Sequence, residues 1–433
     1  MVATQQSKIK KPEVYDSRRI RLTSPILHIG SEVSKLSPFE YVQTSNKVYL
    51  PDKEALARGL QSRGKLQDYI NAIDNRREIT GILRQAFGEN WQTATDTNEN
   101  PIFPEIGISS NWTGTEDKIT DLRPMIRNGF GQLYIPGTSI KGAMRTAIAY
   151  YLIKHADKYK TPKTVSHIEQ QLRRKLTSGE LRGAFNQKFA DDNLFMNSLF
   201  SDFTLKYQEY APQTRTGPNT DFMRAIHVSD TEPLLKKTLT PANGNKTIVN
   251  VPIVTEVLVS SHFENNNAKH RASIYAEMVT DVRTEFTLTI DHEMLSWFRH
   301  QQGMIIPFKN SQELLKICQE FAQEQWDGEH DYWNNIEDHK NQGKNLYFDK
   351  IRDFYEDEKC PYQTRLGWGS GMTGTTINWL LKDDLRSQLR DTCGIKAPGF
   401  EAPKSRRTVT NQDGDSSYLP GWVKLQLLKN QQP

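Results

Sequence analysis

The sequence predicts an α+β protein, and three observations carry that expectation. Apolar and polar residues alternate with strand period from Arg19 to Thr23 and again at Val282, Thr284, Phe286, Leu288 and Ile290. Apolar residues recur with helical spacing at Met144, Ala147, Ile148, Tyr151 and Leu152, and at Leu314, Leu315, Cys318, Phe321 and Ala322. The chain has 433 residues, more than one ordinary domain of roughly 100 to 200, so two packed domains or one domain with long insertions are expected.

Taken in order, the first 13 residues are polar and basic and are read as a tail without structure of its own, with order beginning near Arg18. After the 19–23 alternation and Pro25, the run Ile26-Leu27-His28-Ile29 ends at Gly30, a strand leaving through a glycine turn. Residues 52–88 carry Leu56, Leu60, Leu66, Ile70, Ile73, Ile82 and Leu83 at helical spacing, and the glycines at 59, 64 and 81 break them into short helices. Residues 90–118 are dense in Thr, Asn, Pro and Gly and read as a long loop or insertion. Leu133-Tyr134-Ile135 reads as a short strand, Pro136 to Ser139 as a turn, and Ile140 onward as a helix capped by Thr138 or Ser139.

Residues 211–224 are polar and read as mobile, followed by a strand at 224–228. The β-branched stretches 248–260 and 272–290 read as paired strands joined by the Asn-rich loop 264–269. A helix follows at 311–325. Residues 324–358, acidic and aromatic, read as a solvated helical face over a core.

Composition excludes several classes. The net charge of +4 does not by itself indicate a nucleic-acid partner, so the distribution of charge has to decide. The three cysteines, Cys318, Cys360 and Cys393, have neither disulfide-framework nor zinc spacing. No apolar run suits a signal peptide or a membrane span, so a cytoplasmic protein without membrane contact is expected, and Asn111-Trp-Thr and Asn245-Lys-Thr are chance glycosylation matches.

Two glycine-punctuated segments, 136–145 and 367–374, point to chemistry. Exposed amides at a helix start form an anion site, and glycine removes the side chains that would block it. Lys141 and Arg145, four residues apart, and Arg365 beside the second segment could neutralise phosphates, while Thr138 and Ser139 could donate hydroxyls. Neither segment is a nucleotide-binding loop: Lys141 precedes Gly142 where a P-loop needs the reverse, and Gly367-Trp-Gly-Ser-Gly fails the dinucleotide fingerprint.

Tyr134-Ile-Pro-Gly-Thr-Ser-Ile-Lys-Gly-Ala-Met-Arg-Thr-Ala147 resembles the strand-loop-helix signature of the RAMP superfamily of CRISPR systems, with Thr138 where serine is commoner. Leu366 to Gly374 is similar to that family's C-terminal glycine loop. Leu27 to Tyr41 and Ala225 to Pro233 resemble the branch that heads the backbone of the type III effector. The resemblance implies two ferredoxin-like, RRM-related domains with long insertions: a basic tail at 1–17, one domain at 18–235, and a second at 236–433 with a helical acidic insertion. It further implies a noncatalytic subunit that caps the filament and holds the 3′ region of the crRNA without cofactor or metal. Its partners would be crRNA, target RNA, neighbouring RAMP backbone subunits, small helical subunits and trimming nucleases. The RNA contacts implied are His28, Gly30, Gly137, Thr138, Ser139, Lys141, Gly142, Arg145, Arg365, Gly367, Gly369 and Gly371.

Other readings compete. His28 could be the general base of a crRNA-processing endoribonuclease, since metal-free RNA cleavage needs a proton acceptor near neutrality. Asp16, Asp117 and Asp121 are candidates by position alone for a metal-assisted aspartate and are better read as surface or capping carboxylates. Trp368 either stacks on a base or fills the seam between domains, the seam being preferred. The insertions 90–118 and 324–358 could instead end a filament, because head-to-tail stacking continues unless one subunit lacks the next face.

Overall fold

A computed structural model of the chain describes residues 14–75, 77–113, 118–183, 187, 190–207, 215–240, 246–394 and 396–428. The tail at 1–13, Asp117, Asn245 and residues 211–214 lie outside them. Among the described residues, twelve strands join one mixed sheet: β1 (Tyr15–Leu27), β2 (Val42–Gln43), β3 (Lys47–Tyr49), β4 (Ile108–Asn111), β5 (Leu122–Arg123), β6 (Ile226–Val228), β7 (Val251–His262), β8 (Ala268–Asp291), β9 (Thr364–Arg365), β10 (Arg406–Thr410), β11 (Ser416–Tyr418) and β12 (Trp422–Leu427). The main path runs β9-β12-β1-β8-β7-β4-β3-β2; β10 joins β7 to β11, and β5 and β6 both pair with β8. Only the β4–β7 and β5–β8 pairings are parallel.

β1 and β8 form the spine, in register from Tyr15 opposite Asp291 to Leu27 opposite Val279. β1 therefore starts at Tyr15, ahead of Arg18 where the composition places it, because Asp291, Ile290 and Thr289 supply its ladder. Pro25 is tolerated in this central strand because pairing with β12 stops at Thr23, so the missing N–H leaves no gap on that side. The predicted alternation is present: Val282, Thr284, Phe286, Leu288 and Ile290 are all buried. It slips by one residue at Asp281, whose φ is 51°, so that Val282 and Val279 face one core while Met278 and Ala276 face another.

Among the helices are α1 (Lys53–Ser62), α2 (Leu66–Asp74), α3 (Thr80–Phe87), α4 (Gly137–Lys154), α5 (Val165–Ser178), α6 (Ser311–Asn335), α7 (Asp349–Phe354) and α8 (Asp383–Cys393), with shorter turns at Ala156–Tyr159, Asn197–Phe200, His292–Trp297 and Gly371–Thr375. α1 runs through Gly59 instead of breaking there; a Cβ at that position would stand 2.9 Å from the Ile102 Cδ1, so the glycine serves close packing. α4 and α6 pack on each other and on one face of β1, β8 and β12, burying Met144, Ile148, Leu314, Phe321, Ile20, Leu22, Phe286 and Val423 in one cluster. β12-β1-β8-β6 with these two helices has the connectivity of a split β-α-β pair. Because β1, α4 and β6 precede residue 235 and β8, α6 and β12 follow it, a division at 235 cuts through this sheet.

Three sequence expectations change here. The described part of 90–118 is more than a long loop or insertion without elements: Trp91, Ile102 and Phe103 pack with α1–α3, and β4 enters the sheet beside β7. Residues 324–358, read as a solvated helical face over a core, supply much of that core themselves. α6 continues ten residues past 325, and Trp326, Trp333, Phe348 and Tyr355 form a core with Trp422. Residues 133–135 form no strand: Leu133 makes an isolated antiparallel bridge with Arg127, and the segment hydrogen-bonds to 231–234, Thr231 N–H donating to the Ile135 carbonyl at 3.1 Å. Cys318 and Cys360 are buried, which pushes both thiols up to about 12.

Candidate nucleic-acid interface

The end of β1, the start of α4 and the glycine loop after β9 meet around one core cluster, to which they contribute Ile29, Ile135, Ile140 and Leu366. The contact is close backbone to backbone. The Trp368 N–H donates to the His28 carbonyl at 3.0 Å, and a Cβ on Gly367, whose φ is 78°, would stand 2.3 Å from that same oxygen. Gly369 packs on Pro420, while Gly371 has nothing within 4 Å of where a side chain would stand. Gly30 is exposed and pairs with Met125.

α4 begins at Gly137, three residues earlier than the apolar spacing suggests, and Pro136 occupies the cap position. The cap is neither Thr138 nor Ser139. The Asp230 carboxylate reaches across and accepts the Gly137 N–H at 2.8 Å, so a protein anion already occupies the helix start. Gly137 is required for packing as well, since a Cβ there would stand 2.3 Å from the Val228 carbonyl oxygen. Asp230→Ala is expected to lower stability by about 1 kcal/mol; an unchanged midpoint in urea denaturation would return the capping role to Thr138 or Ser139. Thr138 and Gly142 are exposed, Ser139 is half-buried, and Gly142 has open space around it.

The three cations nominated in the sequence are engaged internally. Lys141 Nζ donates to the Ile226 carbonyl at 2.7 Å, and burial pushes its pKa below the usual range, with Asp221 opposing and Arg145 adding to the shift. Arg145 pairs with Asp221 at 2.6 Å and lies 3.9 Å over the Phe200 ring. Arg365 is 5% exposed, 3.9 Å from the Glu329 carboxylate and 5.0 Å over Trp422. It is a core residue, not a surface cation.

His28 is 2% exposed, its Nδ1–H donates to the Glu277 carbonyl at 2.6 Å, and burial pushes its pKa down. Its ring stands edge-on to Trp368 at 5.3 Å. Asp16 accepts the Ser311 N–H and pairs with Arg18, and Asp121 pairs with Lys35, so both act as capping or surface carboxylates. Among the described residues, no group of three or more His, Cys, Asp or Glu is placed to hold a metal ion, and no helix is long and apolar enough to cross a membrane.

Sequence reasoning missed the buried acid beside His28. Glu277 is wholly buried on β8 and takes a bidentate pair from Arg127 at 2.7 and 2.8 Å, a bond from the Met125 N–H at 3.0 Å and one from Ser109 at 3.2 Å. Burial raises its pKa, but the Arg127 charge and these bonds outweigh burial and hold the carboxyl below its usual range. One acidic residue among strand-like neighbours (Ala276, Met278) is the only trace in the sequence.

Residues 19–365 match the RAMP superfamily. The chain belongs to that superfamily. Over 145 residues this RAMP protein is 28% identical to the CRISPR system Cms protein Csm5 of Enterococcus italicus, a match covering 30% of this chain and 41% of the relative. It thus spans less than half the length of that curated relative. Among solved structures, its fold is similar to a chain of the cryo-EM structure of a Csm-crRNA-target RNA ternary complex from a type III-A CRISPR-Cas system, with TM-score 0.58 and 22% identity over 95% of this chain and 100% of that one. The crystal structure of T. onnurineus Csm5 is similar with TM-score 0.51 and 18% identity, again over 95% and 100%. At these identities the likeness is one of fold.

Proposed function

We propose that this RAMP protein is a noncatalytic RNA-binding subunit of a type III CRISPR effector complex, capping the backbone filament and holding the 3′ region of the crRNA in the cytoplasm. In this reading β12-β1-β8-β6 with α4 and α6 is the first ferredoxin-like unit, and β7, β10 and the Ala268 half of β8 belong to a second. Its partners are crRNA, target RNA, neighbouring backbone and small helical subunits, and nucleases that trim the crRNA. The likeness to Csm5 and to a chain of the Csm-crRNA-target RNA complex supports the assignment.

The observation that carries it is open backbone on three segments that feed one core cluster: Gly30 and Thr138 are exposed, and Gly142 and Gly371 have open space where a side chain would stand. Such open backbone holds a sugar-phosphate backbone by position and reads no bases, as a subunit serving guides of many sequences requires. Burial of His28 supports the noncatalytic part, since a general base has to reach the 2′-hydroxyl it deprotonates.

Crosslinking mass spectrometry on the assembled particle tests the reading. Guide-RNA adducts are expected on 137–142, around Gly30 and around Gly371, and their absence from all three would overturn it. In the same particle, His28→Ala is expected to leave crRNA length unchanged; longer, unprocessed RNA would instead support the endoribonuclease.

A further inference from the structure

Lys141, Arg145 and Arg365 are committed to hydrogen-bond or ion-pair partners, whereas among the described residues two other cations beside the glycine loop have neither. Arg123 and Arg407 converge on Trp368, their guanidinium carbons 5.2 and 5.0 Å from the indole centroid. They come from separate strands. Arg123 on β5 is the register partner of Ala276, and Arg407 on β10 that of Val259, which puts both on the sheet face that carries Val257, Ala276, Met278 and Val409.

Among the described residues neither guanidinium makes a hydrogen bond or an ion pair, and the Nε of each is buried without a partner. The indole attracts a cation through its quadrupole but neutralises no charge. Burial lowers the pKa of Arg407, and the neighbouring Arg123 lowers it further. Two half-buried like charges, held together with no carboxylate among the described residues to pair with, are costly unless an anion completes the cluster. A guanidinium fork donates best to the paired oxygens of a phosphate.

RNA is the source of that phosphate which the surroundings favour. Trp368 belongs to the glycine loop, Gly371 three residues on leaves the backbone open, and Trp112 and Tyr418 stack 6.1 Å apart against the same face. Aromatic faces beside cations are the surface on which single strands lie.

We propose that Arg123 and Arg407, held over Trp368, form a phosphodiester-binding pair for the RNA strand that passes the glycine loop. The proposal rests on the RNA-binding reading above and relocates its positive charge from the three cations nominated in the sequence to these two.

The test measures binding of a labelled single-stranded RNA of mixed sequence to the full-length chain as a function of salt. Each phosphate contact on a single strand contributes about 0.7 to the slope of log K against log salt, so Arg123→Gln/Arg407→Gln is expected to lower the slope by about 1.4 and to weaken binding roughly tenfold. The thermal midpoint is expected to hold or rise, because a repulsion is removed. Wild-type binding with an unchanged slope in a folded variant overturns this proposal and leaves the RNA-binding reading standing. No RNA binding by the wild type overturns both. If the double variant does not fold, each single variant is expected to lower the slope by about 0.7, and two unchanged slopes are again fatal. Inorganic phosphate provides the last arm: a midpoint raised by phosphate in the wild type only, with RNA slopes equal, assigns the pair to a free anion and overturns the proposal.

Discussion

Arg127→Met is expected to destabilise the chain by about 3 to 5 kcal/mol near neutral pH, because it strands a carboxylate in the interior. Glu277 is 0% exposed, and Arg127 is the cation that pairs with it. The Ser109 and Met125 bonds would remain, and two hydrogen bonds do not offset a buried, uncompensated charge. The variant also reverses the pH dependence at this site. In the wild type the folded carboxyl sits below its unfolded pKa of about 4.3, so its contribution is whole above that pH and is lost as pH falls through the lowered value. Without Arg127, burial, the largest influence, outweighs the Met125 and Ser109 bonds that remain and raises the folded pKa, so the protein regains stability as pH falls through the raised value and Glu277 takes up a proton. The stability gap between wild type and variant, measured by urea denaturation, should narrow between about pH 7 and about pH 5. A gap that stays constant over that interval would mean that the pair is not what keeps Glu277 ionised.

This carboxylate also explains why the sequence conveys some parts of the molecule and hides others. Patterns that act along the chain are legible: the alternation from Val282 to Ile290, the helical spacing from Leu314 to Ala322, and the hairpin turn between β7 and β8 all depend on neighbours within a few residues. Patterns completed across the sheet are not. β4 reads as loop because Ile108-Ser-Ser-Asn is polar, yet Ser109 is buried there as a partner of Glu277, 168 residues away. Lys141 and Arg145 read as free cations on a helix face, whereas Ile226 and Asp221, roughly 80 residues later, take them up. The same blindness hid Arg123 and Arg407, which belong to no motif and matter only because no carboxylate among the described residues answers them. At the candidate site, then, the sequence identifies the three backbone segments that meet, since their glycines are local requirements, and misassigns the charges around them, since pairing is a property of the fold.

The same distinction produces the second large effect, at Glu329. Arg406 Nε donates to both carboxylate oxygens at 3.0 and 3.2 Å, and Arg365 lies 3.9 Å away; the three residues are 1%, 8% and 5% exposed. They tie α6, β10 and β9 together inside the aromatic core, with Arg406 over Tyr332 and Arg365 over Trp422. Glu329→Leu leaves two buried guanidiniums without the carboxylate they share and is expected to cost at least about 3 to 5 kcal/mol, read as a lower denaturation midpoint or loss of soluble protein. Removing all three charges together, as Glu329→Leu/Arg365→Met/Arg406→Met, is expected to restore most of that stability, because no group is then left desolvated and unpaired. The triple variant also bears on function. If Arg365 serves the core, a folded triple variant should bind single-stranded RNA with the affinity and salt slope of the wild type, whereas a slope lowered by about 0.7 would return Arg365 to the RNA and show that its pairing with Glu329 yields when the strand arrives.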